Sequence, residues 1–435
     1  MAKMLTDVKN EFKTRPLDSW SKARELRTQL YKNMCEAREK GKLLVAGGTA
    51  IPYELMAGLG EFEVLAGETY GGMVATDDSL ALECFEALEA EGHGREGCGY
   101  YRLMLGSMFL GRGPWGNFPH PDLVVQLNAC DSQGKSGQVV AEHFDSPLFC
   151  FDVPLTTFME PATRDQYVDY FASQYHDFVD WVGRATGRNY DDERLIEAIN
   201  NTTRTHYLWA RICILNQAVP APLDERALFT LFAPLLLNRD RPEVVAFYEG
   251  LLAEVQDRVN YSISALGVEK FRLLHEGQPP WFNLGLFRYP ARYGAVFVGS
   301  VYTFCIGQNP YVAGPEGNWE PKKPPAEQGI TLRTREEALR FLAEWNTDAQ
   351  FFKRILHVPG KLETVFRAVR EWHAQGVVIH LNRGCPGYNE GNMELRMALQ
   401  KEGIPCMTYE ASMTDRRDFT EAPVMDALDT FMESL

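Results

Sequence analysis

The sequence predicts an α/β protein in which two regions with parallel sheets flank a helical region. Two observations carry this prediction. Short apolar runs alternate with helical patterns near both ends of the chain. The middle, from about residue 163 to residue 267, has apolar residues at helical spacing almost throughout. Alternating strands and helices favour a parallel sheet, because a crossover helix connects each strand to the next.

The length and composition are those of a folded protein with several domains. The chain has 435 residues, of which 45% are hydrophobic and 24% are charged, and its formal net charge is −15. At roughly 100–200 residues per domain, this length predicts two or three domains. The acidic balance argues against a general nucleic-acid binder, since phosphate neutralisation needs a basic surface. No apolar run approaches the roughly 20 residues of a membrane span, and no leader pattern is present, so a cytoplasmic location is expected.

The chain begins with a helical segment over residues 1–40 and continues as an α/β region over residues 41–162. Leu26, Leu30 and Met34 recur every four residues, which places them on one face of a helix. Four apolar runs then predict buried strands, as expected for a sheet that is covered on both faces. These runs are LLVAGG (43–48), EVLAG (63–67), DLVVQL (122–127) and LFCFDV (148–153).

The remaining regions are a helical one over residues 163–285 and a second α/β one over residues 286–435. Pro242 suits the first turn of a helix in the helical region, because proline lacks the N–H that this position leaves unpaired. Three further runs predict strands in the second α/β region. These runs are GAVFVGS (294–300), VVIHL (377–381) and GIPCMTYE (403–410).

Nine cysteines are the residues most open to a chemical role, and three of them lie in polar loops. Cys130 follows the DLVVQL strand and Cys385 follows the VVIHL strand. Ligands of open α/β sheets bind just beyond the carboxyl ends of strands. Cys98 lies in a glycine-rich loop that opens a helix, where the helix dipole and free N–H groups lower a thiol pKa. The pattern therefore leaves these three thiols open to a metal or redox role.

The other six cysteines lie in apolar or mixed helix and strand patterns and are expected to pack in the core. They are Cys35, Cys84, Cys150, Cys213, Cys305 and Cys406. A nucleophilic cysteine with a histidine partner is the alternative to a metal site. His93, His120, His143 and His380 are available for it, but none forms a recognisable pair with a cysteine.

Three thiolates from two separate regions suit an iron–sulfur cluster better than zinc, because structural zinc usually draws on paired local ligands. No two cysteines lie within four residues of each other, so a zinc knuckle or a ferredoxin-type run is excluded. Neither a GxGxxG fingerprint nor a Walker A motif is present. The chain is therefore not expected to bind and hydrolyse ATP itself.

Seven segments follow one another in an order that is typical of a single protein family. They are TRPLDSWSKARELR (14–27), IPYELMAGLG (51–60), GCGYYRLMLG (97–106), PDLVVQLNACDSQGK (121–135), GRNYDDERLIEAINNTTR (187–204), GQPPWFNLGLFRYPARYGAVFVGSVY (277–302) and HLNRGCPGYNEGNMELRMALQKEGIPCMTYE (380–410). Cys98 and Arg102 form the Cys-x-x-x-Arg pattern of the third segment. Together the segments resemble the 2-hydroxyacyl-CoA dehydratase / benzoyl-CoA reductase family, and the last two resemble its reductase branch.

The resemblance implies two Rossmann-like domains with parallel sheets and a helical domain between them. It also implies one [4Fe-4S] cluster, with Cys98, Cys130 and Cys385 as its ligands. The implied partners are a homologous second core subunit, in a heterotetrameric complex, and ATP-hydrolysing activator subunits that donate electrons. The implied activity is that of the iron–sulfur core subunit of an ATP-dependent aryl-CoA reductase, which dearomatises benzoyl-CoA or a related acyl-CoA.

Two other functions stay open. Asp131 directly follows Cys130, as in the dehydratase branch, so a 2-hydroxyacyl-CoA dehydratase subunit is one alternative. The other is a non-catalytic electron-relay or scaffold subunit, with the substrate bound by the partner.

Overall fold

The protein is described by a computed structural model over residues 11–153, 163–305, 311–349 and 357–435. The first α/β region contains helices and strands that alternate after an N-terminal helix. These are α1 (Ser19–Glu36), β1 (Leu43–Gly47), β2 (Phe62–Ala66), α2 (Gly67–Val74), α3 (Asp78–Ala90), α4 (Gly99–Leu110), β3 (Leu123–Asn128), α5 (Asp131–Phe144) and β4 (Leu148–Asp152). The strands form a parallel sheet in the order β2-β1-β3-β4. Every residue of β1 and β2 is buried, as their apolar runs predict.

The middle of the chain is helical, and polar caps or a proline start several of its helices. The helices are α6 (Arg164–Thr186), α7 (Asp192–Leu215), α8 (Glu225–Leu231), α9 (Ala233–Leu237) and α10 (Pro242–Asn260). The Asp191 and Asp224 carboxylates accept backbone N–H bonds in the first turns of α7 and α8. Pro242 is the first residue of α10, as the sequence predicts.

The second α/β region repeats the arrangement of the first. Its elements are β5 (Phe271–Glu276), β6 (Ala295–Ser300), α11 (Val301–Cys305), α12 (Arg335–Asp348), α13 (Val358–Glu371), β7 (Gly376–Arg383), α14 (Pro386–Asn389), α15 (Asn392–Lys401), β8 (Cys406–Ser412) and α16 (Glu421–Glu433). The strands form a parallel sheet in the order β6-β5-β7-β8, which matches the order of the first sheet. The predicted α/β fold class with parallel sheets is confirmed.

Strand β5 begins before residue 286, where the sequence predicts the start of the second α/β region. It was not predicted because Arg272, His275 and Glu276 interrupt its apolar pattern, although all three are buried. Arg272 is satisfied inside the protein, since its Nε donates to the backbone oxygen of Trp372 at 2.7 Å. The sheet therefore starts at Phe271, and the other domain limits stay a prediction.

Two hydrophobic cores lie behind the two sheets, and the helical region contributes to both. Leu195 of α7 packs in the first core, whereas Leu208 of the same helix packs in the second. Arg239, between α9 and α10, connects the helical region to the loop after β1 by hydrogen bonds. Its guanidinium donates to the backbone oxygen of Thr49 at 3.2 Å and to the Glu54 carboxylate at 3.2 Å. No helix in the described part of the chain is long and apolar enough to cross a membrane.

Candidate functional site

The three cysteines that the sequence singles out lie at the carboxyl edges of the sheets or beside them. Cys130 comes two residues after β3 and Cys385 comes two residues after β7. Because the strand orders match, these two cysteines occupy equivalent places in the two halves. Cys98 directly precedes α4, just as Cys130 precedes α5 and Cys385 precedes α14. Each thiol therefore lies beside the free N–H groups of a helix start.

Backbone hydrogen bonds and burial act in opposite directions on the three thiols. Burial raises the pKa of Cys98 well above its usual value, and it raises that of Cys130 to about 11, although Cys130 is exposed at the mouth of the site. The pKa of Cys385 is also raised, chiefly by burial. Backbone N–H groups lower all three values, including those of Tyr101 for Cys98 and Gln133 for Cys130. The lowered pKa predicted for Cys98 is wrong for the free thiol, because burial outweighs the helix start. A bound metal ion reverses this balance, since a coordinating thiol is deprotonated.

Close backbone contacts hold the Cys98 loop against the Cys385 loop. Gly384 has a φ of +77°, and a Cβ atom there would lie 2.5 Å from the backbone oxygen of Gly97. A Cβ atom on Gly99 would overlap the side chain of Thr414. At Gly384 only glycine fits without a shift of the backbone, whereas at Gly99 the Thr414 side chain would have to move. The two halves of the protein therefore meet next to these two cysteines.

Cys98, Cys130 and Cys385 line one cavity between the two sheets. The cavity has a volume of about 860 Å³, including its open mouth. Aromatic and polar side chains form much of the remaining wall. Among them are Glu68, Tyr100, Tyr101, Gln133, Gln278, Tyr302 and Tyr388. The fold thus brings together three thiols that lie far apart in the sequence.

Glu68 is the acidic side chain of the cavity wall that carries the most hydrogen bonds. One of its carboxylate oxygens accepts hydrogen bonds from the Tyr101 hydroxyl at 3.0 Å and from the side-chain amide of Gln133 at 2.9 Å. The other accepts the backbone N–H of Thr49 at 2.9 Å. Burial raises the pKa of Glu68, and these three donors oppose the rise without cancelling it. A carboxylate that is held in place at a raised pKa is suited to accept a proton.

Two glycines make room for this network. A Cβ atom on Gly67 would lie 2.6 Å from the ring of Tyr101. A Cβ atom on Gly48 would lie 3.1 Å from the Tyr101 hydroxyl and 3.2 Å from the Glu68 carboxylate. The absence of a side chain at Gly48 and Gly67 therefore leaves space for the hydrogen bonds of Glu68.

A second, mainly apolar cavity adjoins the cysteine cavity. It has a volume of about 580 Å³, including its open mouth. Glu68 and Tyr302 belong to the walls of both cavities. Much of the second wall is aromatic or aliphatic. This part consists of Tyr31, Met73, Phe229, Phe232, Leu236, Trp281 and Leu284. Glu68 therefore lines both a cavity with three thiols and a cavity suited to an apolar group.

The sequence did not single out Glu68 or Gln278. Glu68 is the second residue after β2, and a polar residue at the carboxyl end of a predicted strand is the signal that could have found it. Gln278 is the second residue after β5, the strand that was not predicted. Both sites depend on partners far along the chain, which a local pattern does not reveal.

The histidines do not form a nucleophilic pair with the cavity cysteines. His93 and His143 contact the ring of Phe109, and His120 contacts the ring of Phe144. His380 lies in β7 and is fully buried, and burial lowers its pKa to about 4. The six other cysteines were expected in the core. This is wrong for Cys150, which is exposed in β4, whereas Cys84, Cys213 and Cys305 are buried and Cys35 and Cys406 are half-buried.

Within the described ranges, no group of three or more His, Cys, Asp or Glu side chains is arranged to hold a single metal ion. A cubane cluster makes a different demand, because each of its thiolate ligands binds a separate iron. Three cysteines that face one cavity, each with a backbone N–H donor to its sulfur, fit that demand. The ligand assignment itself stays a prediction.

Comparison with known proteins gives one consistent family. The sequence model described as 2-hydroxyglutaryl-CoA dehydratase, D-component, matches residues 49–435. The (R)-phenyllactyl-CoA dehydratase alpha subunit of Clostridium sporogenes is 25% identical over 394 residues, which are 89% of this chain and 88% of that protein. The lactoyl-CoA dehydratase alpha subunit of Anaerotignum propionicum is 24% identical, over 89% of each chain. A benzoyl-CoA reductase subunit of Thauera aromatica is 22% identical, over 79% of this chain and 78% of that protein.

The dehydratase alpha subunits and the reductase subunit are each similar to more than three quarters of this chain. The family resemblance predicted from the seven segments is confirmed, and the match includes all three cavity cysteines. This chain belongs to the 2-hydroxyglutaryl-CoA dehydratase D-component family.

Proposed function

We propose that this chain is the cluster-carrying core subunit of a 2-hydroxyacyl-CoA dehydratase. One observation carries the proposal: Cys98, Cys130 and Cys385 line the same cavity as Glu68. The family match and the dehydratase relatives support this reaction over the aryl-CoA reduction that the sequence predicts first. The dehydratase function, which was the alternative suggested by Asp131 in the sequence, is therefore the better supported one.

The three thiols would hold a [4Fe-4S] cluster, and the chain's own residues would handle the proton. When bound, the cluster supplies single electrons at low potential to the thioester. Dehydration of a 2-hydroxyacyl-CoA also removes a proton from C3, and hydroxide leaves from C2, which carries the hydroxyl group. The Glu68 carboxylate would accept that proton, held in place by Tyr101, Gln133 and the backbone N–H of Thr49. The proton and the hydroxide together make up the water that is lost.

The apolar cavity supports binding of the acyl group in this subunit. Glu68, Trp281 and Tyr302 all belong to the wall of this cavity. The Trp281 indole N–H donates to the Tyr100 hydroxyl, which lies 3.1 Å from the Tyr302 hydroxyl. An apolar acyl group is favoured there, because burial of apolar surface contributes about 25 cal/mol per Å². A site for the acyl group argues against a subunit that only relays electrons.

The partners are proposed from the relatives. Each relative named above is one subunit of a larger enzyme, so each acts within a complex. We therefore expect a homologous second core subunit and an ATP-hydrolysing activator that donates the electron.

Substitution of Gly72 by leucine is expected to fill the apolar cavity without unfolding the protein. A Cβ atom at Gly72 meets the Trp281 ring at 3.6 Å, which is ordinary van der Waals contact, and leucine favours a helix over glycine by roughly 1 kcal/mol. We expect KM for the acyl-CoA to rise at least about tenfold, the equivalent of about 1.4 kcal/mol of lost binding. Gly250→Leu, on an exposed face of α10, is the matched control. An unchanged KM in Gly72→Leu would place the substrate elsewhere and favour the relay or scaffold function.

The reaction is tested with the purified anoxic complex, its activator, a reductant and ATP. With an apolar 2-hydroxyacyl-CoA such as (R)-phenyllactyl-CoA, we expect an enoyl-CoA product and ATP consumption well below one per turnover, because the electron returns after each cycle. Mass spectrometry of the thioesters and a phosphate assay measure both. No enoyl-CoA from any apolar 2-hydroxyacyl-CoA in an iron-replete complex would contradict the dehydratase function.

An aryl-CoA reductase is the second candidate, favoured by the similarity to the benzoyl-CoA reductase of Thauera aromatica and by the reductase-like segments around Cys385. Its signature in the same assay is loss of benzoyl-CoA with continuing, stoichiometric ATP hydrolysis. The two functions share the cysteine site and differ in whether the electron is recovered.

A further inference from the structure

Gln278 points a side-chain amide at the sulfur of Cys385. It is the second residue after β5, is buried, and lies in the wall of the cysteine cavity. Its Nε2 atom lies 3.1 Å from Cys385 Sγ. A backbone N–H bond from Tyr388 reaches the same sulfur. The side-chain donor differs from the backbone donor in that a substitution can remove it.

The orientation of the Gln278 amide is fixed by a chain of two hydrogen bonds. The backbone N–H of Met413 donates to Asn382 Oδ1 at 3.0 Å. The Asn382 amide must therefore turn its Nδ2 the other way, and this atom donates to Gln278 Oε1 at 2.9 Å. Since Oε1 is thereby occupied as an acceptor, Nε2 is the end of the amide that faces sulfur. A backbone N–H, which cannot flip, sets the direction of the whole chain.

The backbone of Gln278 is held as firmly as its side chain. Its carbonyl oxygen is 2.6 Å from Nδ1 of His380, whose Nε2 is 3.1 Å from the backbone oxygen of Ala411. The preceding Gly277 has a φ of +106°, and a Cβ atom there would lie 3.1 Å from the His380 carbonyl. The loop after β5 is thus packed tightly onto β7, so the distance to Cys385 has little freedom to change.

We propose that Gln278 is a positioning residue that raises the reduction potential of the cluster through its N–H bond to Cys385. This inference rests on the cluster of the proposed function. On reduction the cluster gains one electron, no bond is formed or broken, and the amide proton stays on nitrogen. Negative charge on the cysteine sulfur grows, so the N–H bond is stronger in the reduced state than in the oxidised state. Hydrogen bonds to sulfur are one of the means by which proteins set such potentials.

Removal of the donor is expected to move the potential to a more negative value. In Gln278→Leu the one-electron equilibrium should shift about tenfold toward the oxidised cluster, which corresponds to about 59 mV. Gln278→Glu keeps the length of the side chain but offers acceptors, so its potential should fall at least as far. Titration with titanium(III) citrate, followed by electron paramagnetic resonance of the purified complex, measures both shifts.

Asn346→Leu is the matched control, because it removes a buried amide that donates to the Tyr175 hydroxyl and does not belong to the wall of the cysteine cavity. Its potential should equal that of the unsubstituted protein. Equal potentials in iron-replete Gln278→Leu and unsubstituted protein would overturn the role of Gln278 and leave the cluster in place. Unsubstituted protein without iron would overturn the cluster as well, so the two failures are distinguishable.

A second measurement needs no variant. Protein grown with glutamine that carries ¹⁵N in its side-chain amide should show a ¹⁵N coupling to the reduced cluster in pulsed resonance spectra. Absence of that coupling in iron-replete protein would overturn the proposal even if the variants failed to fold.

Discussion

Replacement of Cys98, Cys130 or Cys385 by alanine is expected to reduce the iron content from about four per chain to less than one and to abolish turnover. The cavity offers three thiols, and the loss of one leaves an iron atom without its ligand while burial disfavours charge on the two that remain. Iron and acid-labile sulfide analysis under anoxia, together with the visible absorption of the cluster, measures the effect.

Cys150→Ala is the matched control for these variants. Like Cys130, Cys150 is exposed and belongs to the first sheet region, but it lies within β4 and not in the cavity wall. It should keep full iron and activity. If all three cavity variants also kept full iron, the ligand assignment would be wrong. Circular dichroism of each variant separates a lost cluster from a lost fold.

Glu68→Gln is expected to lower kcat by about 10² to 10⁴ while the iron content stays unchanged, which is the range for loss of a general base. The amide fits the same space but cannot accept the proton. It also replaces one of the two acceptor oxygens by a donor, so it disturbs the bonds from Tyr101, Gln133 and Thr49. Single-turnover assays of product formation by the loaded complex measure the effect on the chemical step.

The pH profile gives an independent test of Glu68. Its active form is the carboxylate, so activity should rise with pH through the pKa of this group. Because burial raises that pKa above its ordinary value of 4.5, the acidic limb should lie at higher pH than for an exposed glutamate. The limb should vanish in Glu68→Gln. Glu96→Gln, an exposed neighbour of the Cys98 loop, controls for the loss of one charge. A Glu68→Gln complex with full kcat would remove Glu68 from the mechanism.

The sequence predicts those parts of the fold whose signal is local. Strand β1 is an uninterrupted run of buried apolar residues, and β3 is apolar except for the buried Gln126 and the exposed Asn128. In β4 only Phe151 is buried, so the burial predicted for this run is wrong there. Strand β5 was not predicted, because Arg272 interrupts its apolar pattern. This arginine is nevertheless buried, since its side chain donates a hydrogen bond to the backbone oxygen of Trp372. A polar residue in a core strand is explained only by its partner, and that partner lies about a hundred residues further along.

The residues of the candidate site also divide into those that a local sequence pattern predicts and those that only the folded chain reveals. The rule that ligands bind at strand ends selects Cys130 and Cys385, because each follows a strand with a clear pattern. Glu68 and Gln278 depend on partners such as Tyr101 and Asn382, which only the folded chain brings near.

The meeting of the Cys98 and Cys385 loops has a consequence for the stability of the protein. Cys98 packs against the first core and Cys385 against the second, so a cluster bound to both would fasten one half of the molecule to the other. Loss of the cluster would remove this link, while the close backbone contact of Gly384 with Gly97 would remain. Because a group that binds only the folded chain stabilises it, we expect the iron-free protein to unfold at a lower temperature than the iron-replete protein.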